Sequence, residues 1–252
     1  MINSISNIES RSDKISHHGY HRFYDRFLHQ FSEHDEILML ELGYEDGYSI
    51  DIWKKYFKKA RIHSIDIIDN PENLLVDQFF KVDQNSNKEL DQFVLENTEK
   101  YDFIIDDASH VPTHQWNTFI RFISILKEGG VYIIEDIETS YWGKSEIFGY
   151  EFDSAQTSIL KKIPIIIDAI NREFSQEVLV EKYNLTKDES FAVNQIESLT
   201  CGYNCKKKKK KTAGNSQYYR ENSSYRHNGF INSKKIVAKL NKPNFFQRLF
   251  KI

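Results

Sequence analysis

The stretch "IIDDASH" at residues 104–110 sets two adjacent carboxylates, Asp106 and Asp107, and an imidazole, His110, directly after an apolar run that reads as a buried strand. Neighbouring carboxylates repel each other, so a positive group is expected beside them. The pattern returns in "VYIIED", which ends in Glu135 and Asp136. Asp107, Glu135 and Asp136 could give a magnesium ion three oxygen ligands from neighbouring strands, leaving several octahedral positions for water or substrate. His110, three residues past Asp107, would then stand beside the ion as a candidate base. That combination suits activation of an alcohol, because metal coordination stabilises the alkoxide while an imidazole takes the proton. A second reading of "DDASH" is a capping loop in which Asp107 or Ser109 accepts backbone N–H bonds ahead of a helix.

The elements that must hold these groups are legible as an alternation of apolar runs and helical patterns. "EILMLEL" at 36–42, "RIHSIDI" at 61–67, "FFKVD" at 79–83, "YDFIID" and "VYIIED" read as five strands. Between them lie a helix with Ile50, Trp53 and Phe57 on one face, a second over 87–98, and a third from Pro112 to Leu126 that Gly129 and Gly130 terminate. Strand and helix alternating in this way predict a parallel sheet covered on both faces. Later, Ile159, Ile163, Ile166, Ile170 and Phe174 fit a helix despite Pro164, and "FAVNQIESLT" is expected to supply a closing strand. Near the start, Tyr20, Phe23, Tyr24 and Phe27 space as one helix face, and "DKISHHGYHRFY" could fold over a cofactor as a lid.

The 252 residues suffice for one substantial α/β core. A composition 40% hydrophobic and 28% charged excludes a disordered or membrane-embedded chain. Lacking both a bilayer-length apolar stretch and an apolar N-terminal region, the sequence reads as cytoplasmic. Cys201 and Cys205 are too few for a disulfide framework and are expected to be free thiols. From Lys206 onward there are eleven Lys, three Arg and one Glu, so an acidic body carries a basic end. The run of six lysines at 206–211 reads as a solvated loop, and nucleic acid as a poor partner for an acidic body. The expected division is a helical cap over 1–35, an α/β domain over 36–204, and a basic, poorly ordered tail over 205–252 with a short helix near 243–251.

In an open parallel sheet, ligands bind in the crevice beyond the carboxyl ends of the strands. Glu41 and Gly43 close the first strand, Asp66 the second and Asp83 the third, ahead of the acid pairs that close the fourth and fifth. The turn "ELGYEDGYS" does not match the dinucleotide pattern G-x-G-x-x-G and offers no basic residue to a pyrophosphate. Asp66 could accept hydrogen bonds from both hydroxyls of a ribose. A positively charged, phosphate-free nucleoside cofactor suits such a surface, and S-adenosylmethionine, with its sulfonium cation, fits.

The stretches "SDKISHHGYHRFYDRFL", "LELGYEDGYSIDIWKKYFKKARIHSIDI", "VDQ", "YDFIIDDASHVPTHQ" and "GGVYIIEDIETSYW" together resemble the metal-dependent O-methyltransferases that act on sugar hydroxyls, typified by the mycinamicin and demethylmacrocin enzymes. The resemblance runs from Asp13 to Trp142. It implies an α/β, Rossmann-like class I S-adenosylmethionine-dependent methyltransferase fold, with a mostly parallel central sheet and helices on both faces. It implies Asp107, Glu135 and Asp136 as ligands of Mg2+, and His110 as the general base. Cofactor contacts would come from Glu41, Gly43, Ser49, Asp66, Asp83 and Gln84, with Asp106 close by, while Tyr141 and Trp142 would line the acceptor side. The acceptor would be a hydroxyl of a sugar or glycosylated small molecule, and the family often forms homo-oligomers. Tyr44 and Tyr48 stand where relatives tend to carry small residues. Two rivals are kept: a non-haem iron oxygenase of the cephalosporin hydroxylase type on the same fold, and a catalytically silent binding protein with a basic docking tail.

Overall fold

Alternation along the first strand, β1 (Ile37–Leu42), already assigns the two faces of the sheet. Leu38, Leu40 and Leu42 point into one apolar cluster, while Ile37 and Met39 point into the other. Both faces must therefore be covered, as near-continuous apolar strands of a parallel sheet require. The computed structural model describes residues 4–16, 19–34, 36–57, 59–69, 71, 74–141, 159–174, 178–203 and 233–240.

Six further strands complete a seven-stranded sheet: β2 (Ala60–Asp66), β3 (Gln78–Lys81), β4 (Tyr101–Asp106), β5 (Leu126–Ile134), β6 (Ile196–Tyr203) and β7 (Ser233–Leu240). Their order is β3-β2-β1-β4-β5-β7-β6. The first five strands of that order pair in parallel, whereas β7 runs antiparallel to both β5 and β6. The chain winds outward from β1 to β2 and β3, then returns to lay β4 on the other side of β1. That reversal opens a crevice at the carboxyl ends of β1 and β4, where ligands of such sheets bind.

Helices fill both faces. On the first, α4 (Asn87–Glu96), α5 (Pro112–Phe122), α6 (Ile159–Ile170), α7 (Leu179–Tyr183) and α8 (Lys187–Asn194) contribute Leu90, Phe93, Trp116, Phe119, Phe122, Ile166 and Val193 to the core. On the second, α3 (Tyr48–Tyr56) lays Ile50, Ile52 and Trp53 against the strands. The N-terminal segment shares that face. Its 3-10 turn at Ile5–Asn7 and its helices α1 (Asp13–Ser16) and α2 (His21–Ser32) bury Ile5, Ile8, Tyr24, Leu28 and Phe31 with Met39, Trp53 and Phe103. Each such side chain contributes roughly 1.5–3 kcal/mol when withdrawn from water. The segment is thereby held against the sheet, with Asp13 and Tyr20 left to reach the crevice.

The mostly parallel sheet with helices on both faces agrees with the sequence expectation, and two details correct it. Gly129 and Gly130 do not end a helix; they lie inside β5, which begins at Leu126 after a 3-10 turn and shifts register against β4 between Tyr101 and Phe103. The chain beyond residue 205 is not wholly a tail, because 233–240 inserts as β7 between β5 and β6. The signal was hidden by the lysines before it; "KKIVAKL" does carry the β-branched residues of a strand. Cys205, the lysine run and the proposed helix near 243–251 lie outside the described residues, as does the side chain of Cys201.

A buried histidine gives a test remote from the crevice. His63, on β2, is 1% exposed, its Nδ1 lies 3.0 Å from the Tyr101 hydroxyl, and burial holds its pKa below 6.5. The unfolded chain therefore binds the proton more readily than the folded one, so stability is full above about pH 6.5 and falls as pH drops below it. His63→Gln should flatten that part of the profile, measured as melting temperature between pH 5 and 8; an unchanged acid slope would count against His63 as its source.

Candidate active site

The carboxyl ends of β1, β4 and β5 are drawn together by backbone hydrogen bonds that continue past the strands. Asp107 N–H donates to the Leu42 carbonyl at 3.0 Å, and Glu135 N–H to the Asp106 carbonyl at 2.9 Å. The acid pairs are thus set side by side by sheet register. Two residues here hold left-handed backbone without being glycine, His110 at φ 56° and Asp136 at φ 49°. Such conformations cost energy that ordinary loops avoid, and they concentrate at functional sites. Here the turns aim both side chains back over the strand ends.

A cleft of about 690 Å³ lies above these ends. Gly43, Asp66, Asp83, Gln84, Asp107, His110, Glu135 and Asp136 all line it, with Asp13 and Tyr20 from the N-terminal segment and His114 from α5. One oxygen each from Asp107 and Asp136 and one ring nitrogen of His110 lie within 4.8 Å of one another. His110 Nε2 is 3.9 Å from Asp107 Oδ1 and 3.8 Å from Asp136 Oδ2. The three side chains are 22–24% exposed, so the donor set opens on the cleft and could take a hard divalent cation.

Glu135 is handled differently. Its carboxylate is 1% exposed, and Oε1 lies 3.3 Å from the ammonium of Lys14. Lys14 is itself 3% exposed; it bonds Asp107 Oδ2 and stands 3.7 Å from Glu41 Oε1. Burial disfavours its charge, but Asp107, Glu135 and Glu41 outweigh that penalty and raise its pKa well above the ordinary lysine value. Tyr20 also reaches in, its hydroxyl donating to Asp136 Oδ1. The helical spacing of Tyr20 suggested packing, and its ring is indeed buried, but its hydroxyl belongs to the site. Neither Lys14 nor Tyr20 was singled out from the sequence as a partner of the acids. The sole hint was "DKISHHGY" as a lid; His17 and His18 within it lie outside the described residues.

The expected cofactor residues divide into two groups. Asp66 Oδ2 accepts from the backbone N–H groups of Tyr44 (2.6 Å) and Glu45 (3.2 Å), which shapes the turn after β1 and leaves the carboxylate at the cleft wall. Asp83 Oδ1 accepts from Asn85 N–H at 2.8 Å, and Gln84 Nε2 donates to both oxygens of Asp106 at 2.8 and 2.9 Å. Gln84 Oε1 in turn accepts from the Ser109 hydroxyl at 2.7 Å, and that hydroxyl sits 3.0 Å from His114 Nδ1. Glu41, Ser49 and Asp106 are not on the cleft wall. Glu41 is fully buried and accepts from Trp53 Nε1 at 2.9 Å; burial pushes its pKa up to about 7 against the pull of Lys14. Ser49 hydrogen-bonds the same carboxylate. Burial likewise lifts Asp106 to about 7. Glu41 and Asp106 are thus sealed from the crevice, and Ser49 is half-buried.

On the acceptor side, Tyr141 is 43% exposed at the end of a 3-10 turn over Ile137–Tyr141 and is not on the cleft wall. Trp142 lies outside the described residues. Tyr44 does not intrude on the cleft. Its ring is buried against Phe79 and its hydroxyl accepts from Leu75 N–H at 2.9 Å, so the bulk that departs from the family pattern points away. Tyr48 is 40% exposed.

Gly43 fixes the distance between the first turn and the acid loop. Its φ is 91°, and a Cβ placed there would stand 2.3 Å from the carbonyl oxygen of Asp107. Only a residue without a side chain lets the two backbones approach so closely.

Comparison with known proteins places the fold. No family model matches the chain. Among curated proteins, L-olivosyl-oleandolide 3-O-methyltransferase of Streptomyces antibioticus is 30% identical over 164 residues, which is 62% of this chain and 42% of the relative. Mycinamicin VI 2''-O-methyltransferase of Micromonospora griseorubida is 30% identical over 169 residues, covering 62% and 40%. Demethylmacrocin O-methyltransferase of Streptomyces fradiae is 27% identical over 167 residues, covering 62% and 41%. The chain thus spans about two-fifths of the length of the curated relatives it matches. Among solved structures, the mycinamycin-pathway methyltransferase MycE, in complex with Mg, SAH and mycinamycin VI, superposes with a TM-score of 0.62 at 20% identity over 94% of this chain and 56% of that one. At that identity the superposition establishes the fold. Among the described residues no helix is long and apolar enough to cross a membrane. The chain is thus similar in sequence, over about three-fifths of its length, to curated O-methyltransferases that include the mycinamicin VI and demethylmacrocin enzymes, and it shares the MycE fold over nearly all of its length.

Proposed function

We propose that the protein is an S-adenosylmethionine-dependent, magnesium-dependent O-methyltransferase acting on a hydroxyl of a sugar or glycosylated small molecule. The observation that carries this reading is the juxtaposition of Asp107, His110 and Asp136 at adjoining strand ends, open to a cleft whose other wall presents Asp66 and Asp83. The donor chemistry fits a hard divalent cation: Glu41, Asp107 and Glu135 gather around the one ammonium of Lys14, and Asp136 stands beside Asp107 and His110 with the Tyr20 hydroxyl as its partner. Asp107 and Asp136, with Glu135, would hold the magnesium ion. When bound, S-adenosylmethionine supplies the methyl group, and magnesium lowers the pKa of a substrate hydroxyl beside it.

This chain's own groups would do the rest. Asp66 would accept from the ribose hydroxyls of the cofactor, and Asp83 and Gln84 would border its base at the end of β3. His110 Nε2, facing both Asp107 and Asp136, would receive the proton of the acceptor hydroxyl, and the two carboxylates would stabilise the imidazolium that results. The N-terminal segment, through Asp13 and Tyr20, would exclude water and orient the acceptor.

The acid–imidazole–acid cluster would also suit iron(II), as the oxygenase reading requires. The names of the curated relatives favour methyl transfer. Incubation with isotope-labelled S-adenosylmethionine, magnesium and a panel of glycosides should give labelled methyl ethers detectable by mass spectrometry. Chelation by EDTA should abolish the product and added Mg2+ restore it. Oxygen uptake with iron(II) and no methyl transfer would sink the reading.

A further inference from the structure

Lys14 is the one described cation placed among the acids of the crevice by its own side chain, and it engages two of the three carboxylates that would hold an ion, Asp107 and Glu135. It arrives from another part of the chain, 93 residues before Asp107, on α1. Sheet register places the acids side by side whether or not a cation is present. Without compensation, Glu41, Asp107 and Glu135 would repel one another in a medium where charge is poorly screened. Lys14 supplies that compensation. An ion ligated by the same oxygens would sit about 2.1 Å from them. With Nζ 3.3 Å from Glu135 Oε1, the ion and the ammonium would then face each other within about 5 Å, a strong repulsion inside a protein. With Lys14 seated on it, Glu135 borders the cleft without joining the close cluster of Asp107, His110 and Asp136.

We propose that Lys14 is a tethered counter-ion of the acidic site, seated on Asp107 and Glu135 in the ion-free protein and displaced from them by a divalent cation. Its withdrawal frees Glu135 to join Asp107 and Asp136 and returns His110 from the ligand cluster to the role of base. It also loosens α1, while α2 stays anchored by Tyr24, Leu28 and Phe31 in the core. The inference rests on the metal reading given under Proposed function.

Manganese(II), added alone and followed by its electron paramagnetic resonance signal, tests this without any substrate. Lys14→Met keeps an unbranched side chain in the buried channel but removes the charge, and should bind Mn2+ at least about tenfold more tightly than the wild type. Lys14→Arg retains the charge and should stay within about threefold of the wild type. Saturating Mn2+ should raise hydrogen exchange in the peptide spanning 12–20 of the wild-type protein, and leave the peptide from α2 unchanged. Melting curves of each variant establish that it is folded; should Lys14→Met fail to fold, Lys14→Arg and the wild-type exchange data decide alone. Equal or weaker Mn2+ binding by Lys14→Met, or protection of 12–20 by Mn2+, overturns the counter-ion role and leaves the metal reading standing. An absence of Mn2+ binding in wild type and variants alike overturns both.

Discussion

Replacing His110 should lower turnover by roughly 10²–10⁴-fold while cofactor affinity stays nearly constant. Among the described residues the imidazole is the one histidine of the acid cluster, and its Nε2 faces Asp107 and Asp136 at 3.9 and 3.8 Å. The choice of substitution matters because the backbone at this position is left-handed, with φ at 56°. Alanine there would combine loss of the base with backbone strain, whereas asparagine accepts that conformation at little cost. His110→Asn therefore isolates the chemical role. Steady-state kcat, set beside the calorimetric Kd for S-adenosylmethionine, separates the outcomes. A large fall in kcat with an unaltered Kd supports a base; equal losses in both would mean that His110 merely holds the crevice together.

Gly43→Ala should damage both stability and the site, although residue 43 contributes no functional group. The added methyl would stand 2.3 Å from Asp107 O, 2.9 Å from Asp107 C and 3.0 Å from Ala108 Cα, all backbone atoms. A flexible side chain could yield, but here the turn after β1 and the acid loop after β4 must separate. The φ of 91° adds strain that alanine does not tolerate. A destabilisation of about 2–5 kcal/mol is expected from these two sources together. Because Asp107 moves with its backbone, Mn2+ affinity and turnover should each fall by about 100-fold, as misplacement of reacting groups by an ångström does elsewhere. Gly47→Ala is the control. Its φ is 72°, and its methyl would meet only the Tyr44 side chain at 2.8 Å, so a loss of about 1 kcal/mol and an intact ion site are expected. Thermal melting of the two variants, with Mn2+ titrations, distinguishes them. Similar behaviour at both positions would refute the close approach at Gly43 as the feature that positions Asp107.

The main architecture was legible because it rests on local patterns. Runs such as "ILMLEL" and "YDFIID" declare themselves by apolar continuity, and an acid at the end of each run marks where a cleft must lie in a parallel sheet. The distinction between Asp106 and Asp107 was harder to read. Adjacent in sequence, they alternate across the strand end, so that one is sealed against Gln84 while the other faces the cleft. At the end of β5 both acids border the cleft, but Glu135 is buried at 1% exposure whereas Asp136 keeps 22%.

The chain's own letters determined that strand and helix alternate, that carboxylates crown the strands, and that an imidazole stands beside them, since each of these depends on neighbours a few positions away. Folding alone decided which cation answers those carboxylates. Lys14 and Tyr20 lie 93 and 116 residues from their partners, with no periodicity joining them. It likewise decided that 233–240 enters the sheet beyond the lysine run. Such pairings follow from where the backbone carries two distant segments, and side-chain spacing within either segment holds no record of the other.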